Sequence, residues 1–140
     1  DLTAKPLVVK LTPNTGDPAA VAVAAERGGA DAVSLINTVR ATGLDPATGE
    51  PWLGAGSGGL SGPAVRAIAL DQVRRVAAAV GVPVIGMGGI ETGADAADFL
   101  RLGAAAVAVG TANFRDPAAG NRVLRELESL DLARLALDLN

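Results

Sequence analysis

"PVIGMGGIETGADAADFLRLGAAAVAVGTANF", residues 83–114, decides how the chain folds. It holds two apolar, strand-like runs, "PVIGM", which with Val82 before it reads "VPVIGM", and "AAAVAVG". Each ends in small residues: Gly86-Met87-Gly88-Gly89 after the first, Gly110-Thr111 after the second. Between them Thr92 reads as the N-cap of "GADAADFLRLG", whose apolar face is Ala96, Phe99 and Leu100. A strand, a helix and a second strand in this order imply parallel pairing through a right-handed crossover.

The same unit recurs upstream. "PLVVKLT" predicts a first strand, closed by Pro13 and Asn14. Asp17-Pro18 predicts an N-cap with proline at the first helical position, and Gly28-Gly29 marks that helix's end. "ADAVSLINT", residues 30–38, predicts a second strand. A Gly- and Pro-rich loop is expected from Val39 to about Ser61, of a length that is often functional. Helical spacing then runs from Pro63 to Val80 through Ile68, Leu70, Val73, Val76 and Ala77, with Gly81 ending it. After the second Gly-rich strand end, a last helix is expected from Pro117 to about Leu130, with Val123, Leu124, Leu127 and Leu130 on one side. "DLARLALDLN" either continues it or forms another short helix.

The strands are continuous apolar runs, which predicts that both sheet faces are covered. The fold class is therefore α/β, with two candidate architectures. One is a small doubly wound sheet. The other is part of a (β/α)8 barrel, whose full form takes roughly 250 residues. Residues 1–140 read as a single domain of four βα units, without an internal boundary. Either architecture puts function at the carboxyl ends of the strands.

Composition excludes several function classes. The chain has 140 residues, is 49% hydrophobic and 19% charged, and so can bury a core. Its net charge is −3 and no basic run exceeds Arg74-Arg75, which argues against nucleic acid. It contains no Cys and no His, so disulfides, thiolate metal sites and a Cys or His base are excluded within it. No metal-ligand spacing is present. No apolar stretch approaches the roughly 20 residues of a membrane span. The beginning, "DLTAKPLVVK", has neither a basic leader nor a Met and reads as a cut inside a longer chain; a cytoplasmic fragment is expected.

The candidate site residues cluster at strand ends. Phosphate oxygens favour several main-chain N–H donors in a concave nest, which side chains would obstruct, and a following helix start adds a favourable dipole. Two successive Gly-rich strand ends meet that need, although glycine at a strand end also simply permits turns. "GSGGLSGPAV", residues 56–65, adds Gly62 before Pro63 as a third donor, with Leu60 as an apolar anchor that a pure linker would lack. Lys10, in "VVKLTPN", needs an anionic partner or an exit to solvent. At the end of its strand it would face the mouth of a site, or else snorkel at the rim. Asn37-Thr38 can read donors and acceptors of a small polar ligand, or serve the local turn. Asp17, Asp71, Asp95 and Asp98 read as caps or solvated helix faces.

Together "VVKLTPN", "SLINT", "GGLSGPAV", "PVIGMGGIETGADAADFLRLGA" and "AVAVGTANFRDP" resemble, in order and spacing, the second half of the dihydroorotate dehydrogenases. "GGLSGPA" and "VGTANF" give the resemblance its class 1B character. The resemblance runs from Lys5 to about Pro117. It implies an FMN-dependent (β/α)8 barrel that oxidises dihydroorotate to orotate in pyrimidine synthesis. It implies that Lys10 lies by the flavin ring and stabilises its anionic reduced form. Ile36 would contact the flavin through its backbone. Asn37 and Thr38 would bind substrate, while Gly62, Gly88, Gly89, Gly110 and Thr111 hold the FMN phosphate. The family's catalytic Cys lies in the first half of the barrel, so no catalytic base is expected here and the isolated chain should be inactive. Implied partners are the N-terminal half-barrel and an iron–sulfur, FAD-containing subunit that passes electrons to NAD; an oligomer is expected. The alternatives are another FMN barrel oxidoreductase, such as the flavin domain of dihydropyrimidine dehydrogenase, and a non-catalytic flavin- or phosphate-binding half-barrel.

Overall fold

The computed structural model describes residues 4–138. Its main sheet has four parallel strands: β1 (Val8–Lys10), β2 (Ala32–Leu35), β5 (Val84–Met87) and β6 (Ala106–Ala108). They lie side by side in chain order, with Val9 opposite Val33, Val33 opposite Val84, and Gly86 opposite Val107. Four helices alternate with them: α1 (Pro18–Arg27), α2 (Arg66–Ala77), α3 (Gly93–Arg101) and α4 (Ala119–Asp138). Each packs on the next, α1 on α2, α2 on α3 and α3 on α4. A doubly wound sheet reverses its strand order at a switch point. This sheet does not, and a singly wound parallel arrangement is compatible with part of a (β/α)8 barrel.

Local chemistry sets the helix starts. The Asp17 side chain accepts from the N–H groups of Ala19 and Ala20, and Pro18 occupies the first turn of α1. Thr92 and Asp95 form a reciprocal capping box at α3. The core lies between the sheet and the helices, around Val33, Leu35, Val73, Val76, Ala96 and Phe99. Gly86 lets Phe99 reach the sheet: a Cβ there would fall 2.6 Å from the Phe99 ring.

Several expectations need correction. Among the described residues, helices cover one sheet face, not both: Val8, Lys10 and Ala106 are exposed on the other. The loop after β2 is not structureless. Within it, β3 (Val39–Ala41) and β4 (Gly58–Leu60) pair antiparallel, extended by a bridge between Leu44 and Pro51. The β2 strand stops at Leu35, and the Leu35–Ile36 peptide bond is cis. The helix expected from Pro63 to Val80 is a 3₁₀ turn at Pro63–Val65 followed by α2, which ends at Ala77. The last helix runs on through α4 to Asp138, and only the final two residues of "DLARLALDLN" lie outside the described residues. On it Val123 is buried and Leu127 packs against the core, but Leu124 and Leu130 are exposed.

Candidate functional site

One cavity of about 410 Å³ opens at the carboxyl ends of the four parallel strands. All nine residues singled out from the sequence line it: Lys10, Ile36, Asn37, Thr38, Gly62, Gly88, Gly89, Gly110 and Thr111. Its size falls within the range of small-molecule sites, roughly 300–1,000 Å³. Lys10 arrives at the end of β1, on the uncovered sheet face. Ile36–Thr38 follow β2. The N–H of Ile36 donates to Met87 O at 2.8 Å, and that of Asn37 to Leu11 O at 3.1 Å. Leu60, expected as an anchor, is partly exposed and borders the cavity.

The glycines are not equivalent. Gly88 and Gly89 have φ of +126° and +74°, which L side chains rarely adopt. A Cβ on Gly88 would fall 2.9 Å from that of Ala69, and one on Gly89 would fall 2.7 Å from that of Arg66. The protein's own packing therefore requires glycine at both. Gly110 has φ −109°, and the space where its Cβ would stand is open. There the missing side chain leaves room for something else, as it does at Gly62, where a Cβ would come no closer than 3.7 Å to another atom, Thr111 Cγ2. Among the described residues, none accepts a hydrogen bond from the main-chain N–H of Gly88, Gly89, Gly110 or Thr111. That set of free donors, with open space at Gly110, fits a phosphate group.

The expected help from a helix start needs relocating. The N-terminus of α3 is already occupied: Asp95 accepts from Glu91 N–H at 3.0 Å and Thr92 N–H at 2.9 Å, and Glu126 accepts from Gly93 N–H at 2.7 Å. Two 3₁₀ turns open at the cavity instead: Pro63–Val65, straight after Gly62, and Thr111–Phe114, straight after Gly110.

Charged residues brace the loops. Burial alone would raise the Asp95 carboxyl, but its bonds with Glu91 and Thr92 and the neighbouring Arg66 hold it below the usual value. Glu126 is lowered by the Gly93 N–H and by Arg122. Arg66 pairs with Asp95 and Asp98, and Asp98 also binds Arg101 at 2.9 Å. Asp98 is thus an ion-pair hub and not merely a solvated residue.

Sequence reasoning missed two supporting residues. Asn14 donates to Thr38 O at 3.0 Å and accepts from Arg40 N–H at 2.8 Å, so it holds the chain just after Asn37. Glu91 lines the cavity and pairs with Arg115. Among the described residues no group of acidic side chains could hold a metal ion, and no helix is long and apolar enough to cross a membrane.

These features define a parallel α/β protein with a candidate ligand site at the carboxyl ends of its strands. The chain belongs to the dihydroorotate dehydrogenase family, whose model matches residues 1–130. The family's enzymes are flavoproteins. The chain is 55% identical over 123 residues to a Solibacter usitatus protein named as a dihydroorotate dehydrogenase of type A (fumarate), covering 88% of this chain and 40% of that one. It is 54% identical over 124 residues to the dihydroorotate dehydrogenase B (NAD(+)) catalytic subunit of Alkaliphilus oremlandii, covering 89% and 41%. The Geobacter metallireducens subunit of the same name is 51% identical over 128 residues, covering 91% and 42%. The chain thus spans about two fifths of the length of these relatives. The resemblance to B-type catalytic subunits expected from the motifs is found.

Proposed function

We propose that this chain supplies the FMN-phosphate site and part of the substrate site of an enzyme that oxidises dihydroorotate to orotate in pyrimidine synthesis. One observation carries the proposal: free main-chain donors at two successive strand ends share a cavity with Lys10, Asn37 and Thr38. Membership of the family supports it.

In this proposal Gly62, Gly88, Gly89, Gly110 and Thr111 surround the phosphate, with Gly110 giving it the closest approach. When bound there, FMN would supply the hydride acceptor for the substrate. The ammonium of Lys10 would stand near the flavin ring where negative charge develops, and a fixed cation there would lower the barrier. The Ile36 N–H is already bonded to Met87 O, so its carbonyl is the backbone group that would contact the flavin. Asn37 and Thr38 offer an amide and a hydroxyl to the substrate's ring and carboxylate.

The resemblance implies a Cys base from the first half of the barrel, and this chain has no Cys, so in this proposal the proton leaving the substrate carbon goes to a base outside these residues. The uncovered sheet face and the unpaired edges of β1 and β6 are where the other half of a (β/α)8 barrel would close. The B-type relatives are named as catalytic subunits with NAD(+). An iron–sulfur, FAD-containing partner that delivers electrons to NAD is proposed on that ground.

The test is to purify the natural full-length protein with its flavin and add dihydroorotate without oxygen. Loss of the oxidised-flavin absorption is expected, with orotate formed in equal amount. Bound FMN that stays oxidised would overturn the activity while leaving the flavin site in place.

A further inference from the structure

Besides the Glu91–Arg115 ion pair, one further side chain joins the two strand-end loops that line the cavity. Arg122, on the first turns of α4, donates from Nε to Asp116 Oδ2 at 3.1 Å and from Nη1 to the main-chain oxygen of Glu91 at 2.9 Å. Glu91 belongs to the loop after β5 and itself lines the cavity. Asp116 ends the segment after β6: its N–H bonds to Ala112 O at 3.0 Å, and its carbonyl accepts from Ala119 at 2.9 Å. The guanidinium therefore spans Gly88–Thr92 on one side and Gly110–Asp116 on the other.

Its orientation is fixed. Nη1 also donates to Glu126 Oε1 at 3.1 Å, while Glu126 Oε2 takes the Gly93 N–H at 2.7 Å. Gly93 allows this close approach: a Cβ there would fall 2.6 Å from that of Glu126. A planar fork with donors in set directions can hold two loops at one spacing, which a single ammonium cannot.

We infer that Arg122 is a positioning residue that sets the spacing between the two phosphate-facing loops, and so the flavin site's selectivity for a phosphorylated flavin. The inference rests on the proposed FMN-phosphate site. Arg122 does not line the cavity and acts through Glu91 and Asp116. Misplacing either loop separates donors that must converge on one phosphate, but leaves contacts to the flavin ring intact.

The test compares FMN with riboflavin, which has the same ring and no phosphate. Both are titrated into the flavin-free natural full-length protein and into its Arg122→Gln and Arg122→Lys variants. Wild type should prefer FMN strongly. In R122Q the FMN dissociation constant should rise about tenfold while that of riboflavin changes less than about twofold, a difference easily resolved in binding free energy. R122K keeps the charge but cannot bridge both loops, and should lose part of the preference. If R122Q does not fold, R122K decides. A preference for FMN that either folded variant keeps at the wild-type value, or a loss that falls equally on both flavins, would overturn the positioning role. Wild type that binds riboflavin as tightly as FMN would instead overturn the phosphate site itself, before any variant is compared.

Discussion

Gly89 and Arg66 stand so close that a Cβ on the glycine would fall 2.7 Å from the Cβ of the arginine. The Gly62 carbonyl oxygen would lie 2.9 Å away on another side, and φ at Gly89 is +74°. Gly110, across the cavity, has neither constraint. The two glycines should therefore answer the same mutation differently. Gly89→Ala should cost stability, with about 1–3 kcal/mol from the backbone conformation alone and more from overpacking. Gly110→Ala should leave the unfolding midpoint within about 0.5 kcal/mol of wild type, as exposed substitutions do. It should weaken FMN far more than riboflavin. Chemical denaturation and flavin titration of the full-length protein check both halves. A Gly110→Ala protein that binds FMN normally would remove the phosphate from that strand end.

Asn14 offers a second test, because its amide acts as a short strand against the chain after β2. It accepts from Arg40 and donates to Thr38 O, and so fixes the backbone that carries Asn37 and Thr38. Asn14→Ala removes both bonds and a third to the Thr12 hydroxyl at 3.1 Å, each worth about 1 kcal/mol net and less when exposed. Orotate binding, read from the flavin spectrum, should weaken about three- to tenfold. FMN affinity should hold. Asn14→Asp keeps the acceptor and loses the donor, so it should fall between. Equal loss of FMN and orotate would mean that Asn14 supports the fold and not the substrate side.

These tests separate what could be read in the sequence from what could not. Lys10, Asn37-Thr38 and the glycines stood out because each breaks an apolar run at its end, and the parallel topology then carries them to one rim. Asn14, Arg122 and Glu126 gave no such signal. Each is an ordinary polar residue on a turn or helix surface, and its role depends on a distant partner: Asn14–Thr38 at 24 residues, Arg122–Glu91 at 31 and Glu126–Gly93 at 33. The β3–β4 pair was illegible for another reason: Gly58-Gly59-Leu60 has little strand propensity, and its register is set by Val39 opposite Leu60. Gly88 and Gly89 were legible as glycines but not in their cause, since only the fold shows Ala69 and Arg66 filling the space beside them.

Lys10 tests the chemistry itself. It is exposed at the end of an edge strand and lines the cavity, so replacing it should not disturb the core. Lys10→Met keeps the apolar stem and deletes the charge. Flavin reduction by dihydroorotate, followed by rapid mixing, should slow by about 10²- to 10³-fold, the range for removing one group that stabilises developing charge. FMN affinity should change little, because the phosphate is held elsewhere. A reduction rate near wild type would show that Lys10 only rims the site.

The start of α3 depends on pH, with a sign set by two depressed carboxyls. Asp95 sits below its ordinary value of 3.8 because its bonds with Glu91 and Thr92 outweigh the opposing effect of burial. Glu126 sits below 4.5, chiefly through the Gly93 N–H and then Arg122. A carboxyl whose native pKa is depressed binds its proton more readily in the unfolded chain. It therefore contributes stability above the unfolded value, and that contribution fades as pH falls through the lower native one. Near neutral pH both contributions are complete and flat. The loss should begin as pH drops towards 4.5 and 3.8 and deepen below them. Asp95→Asn deletes the titration, so the stability gap between it and wild type should be widest at neutral pH and close as acid is added. Denaturant midpoints of both proteins across that range decide the matter: a gap that stays constant with pH would mean that Asp95 holds the α3 start through its shape and not through its charge.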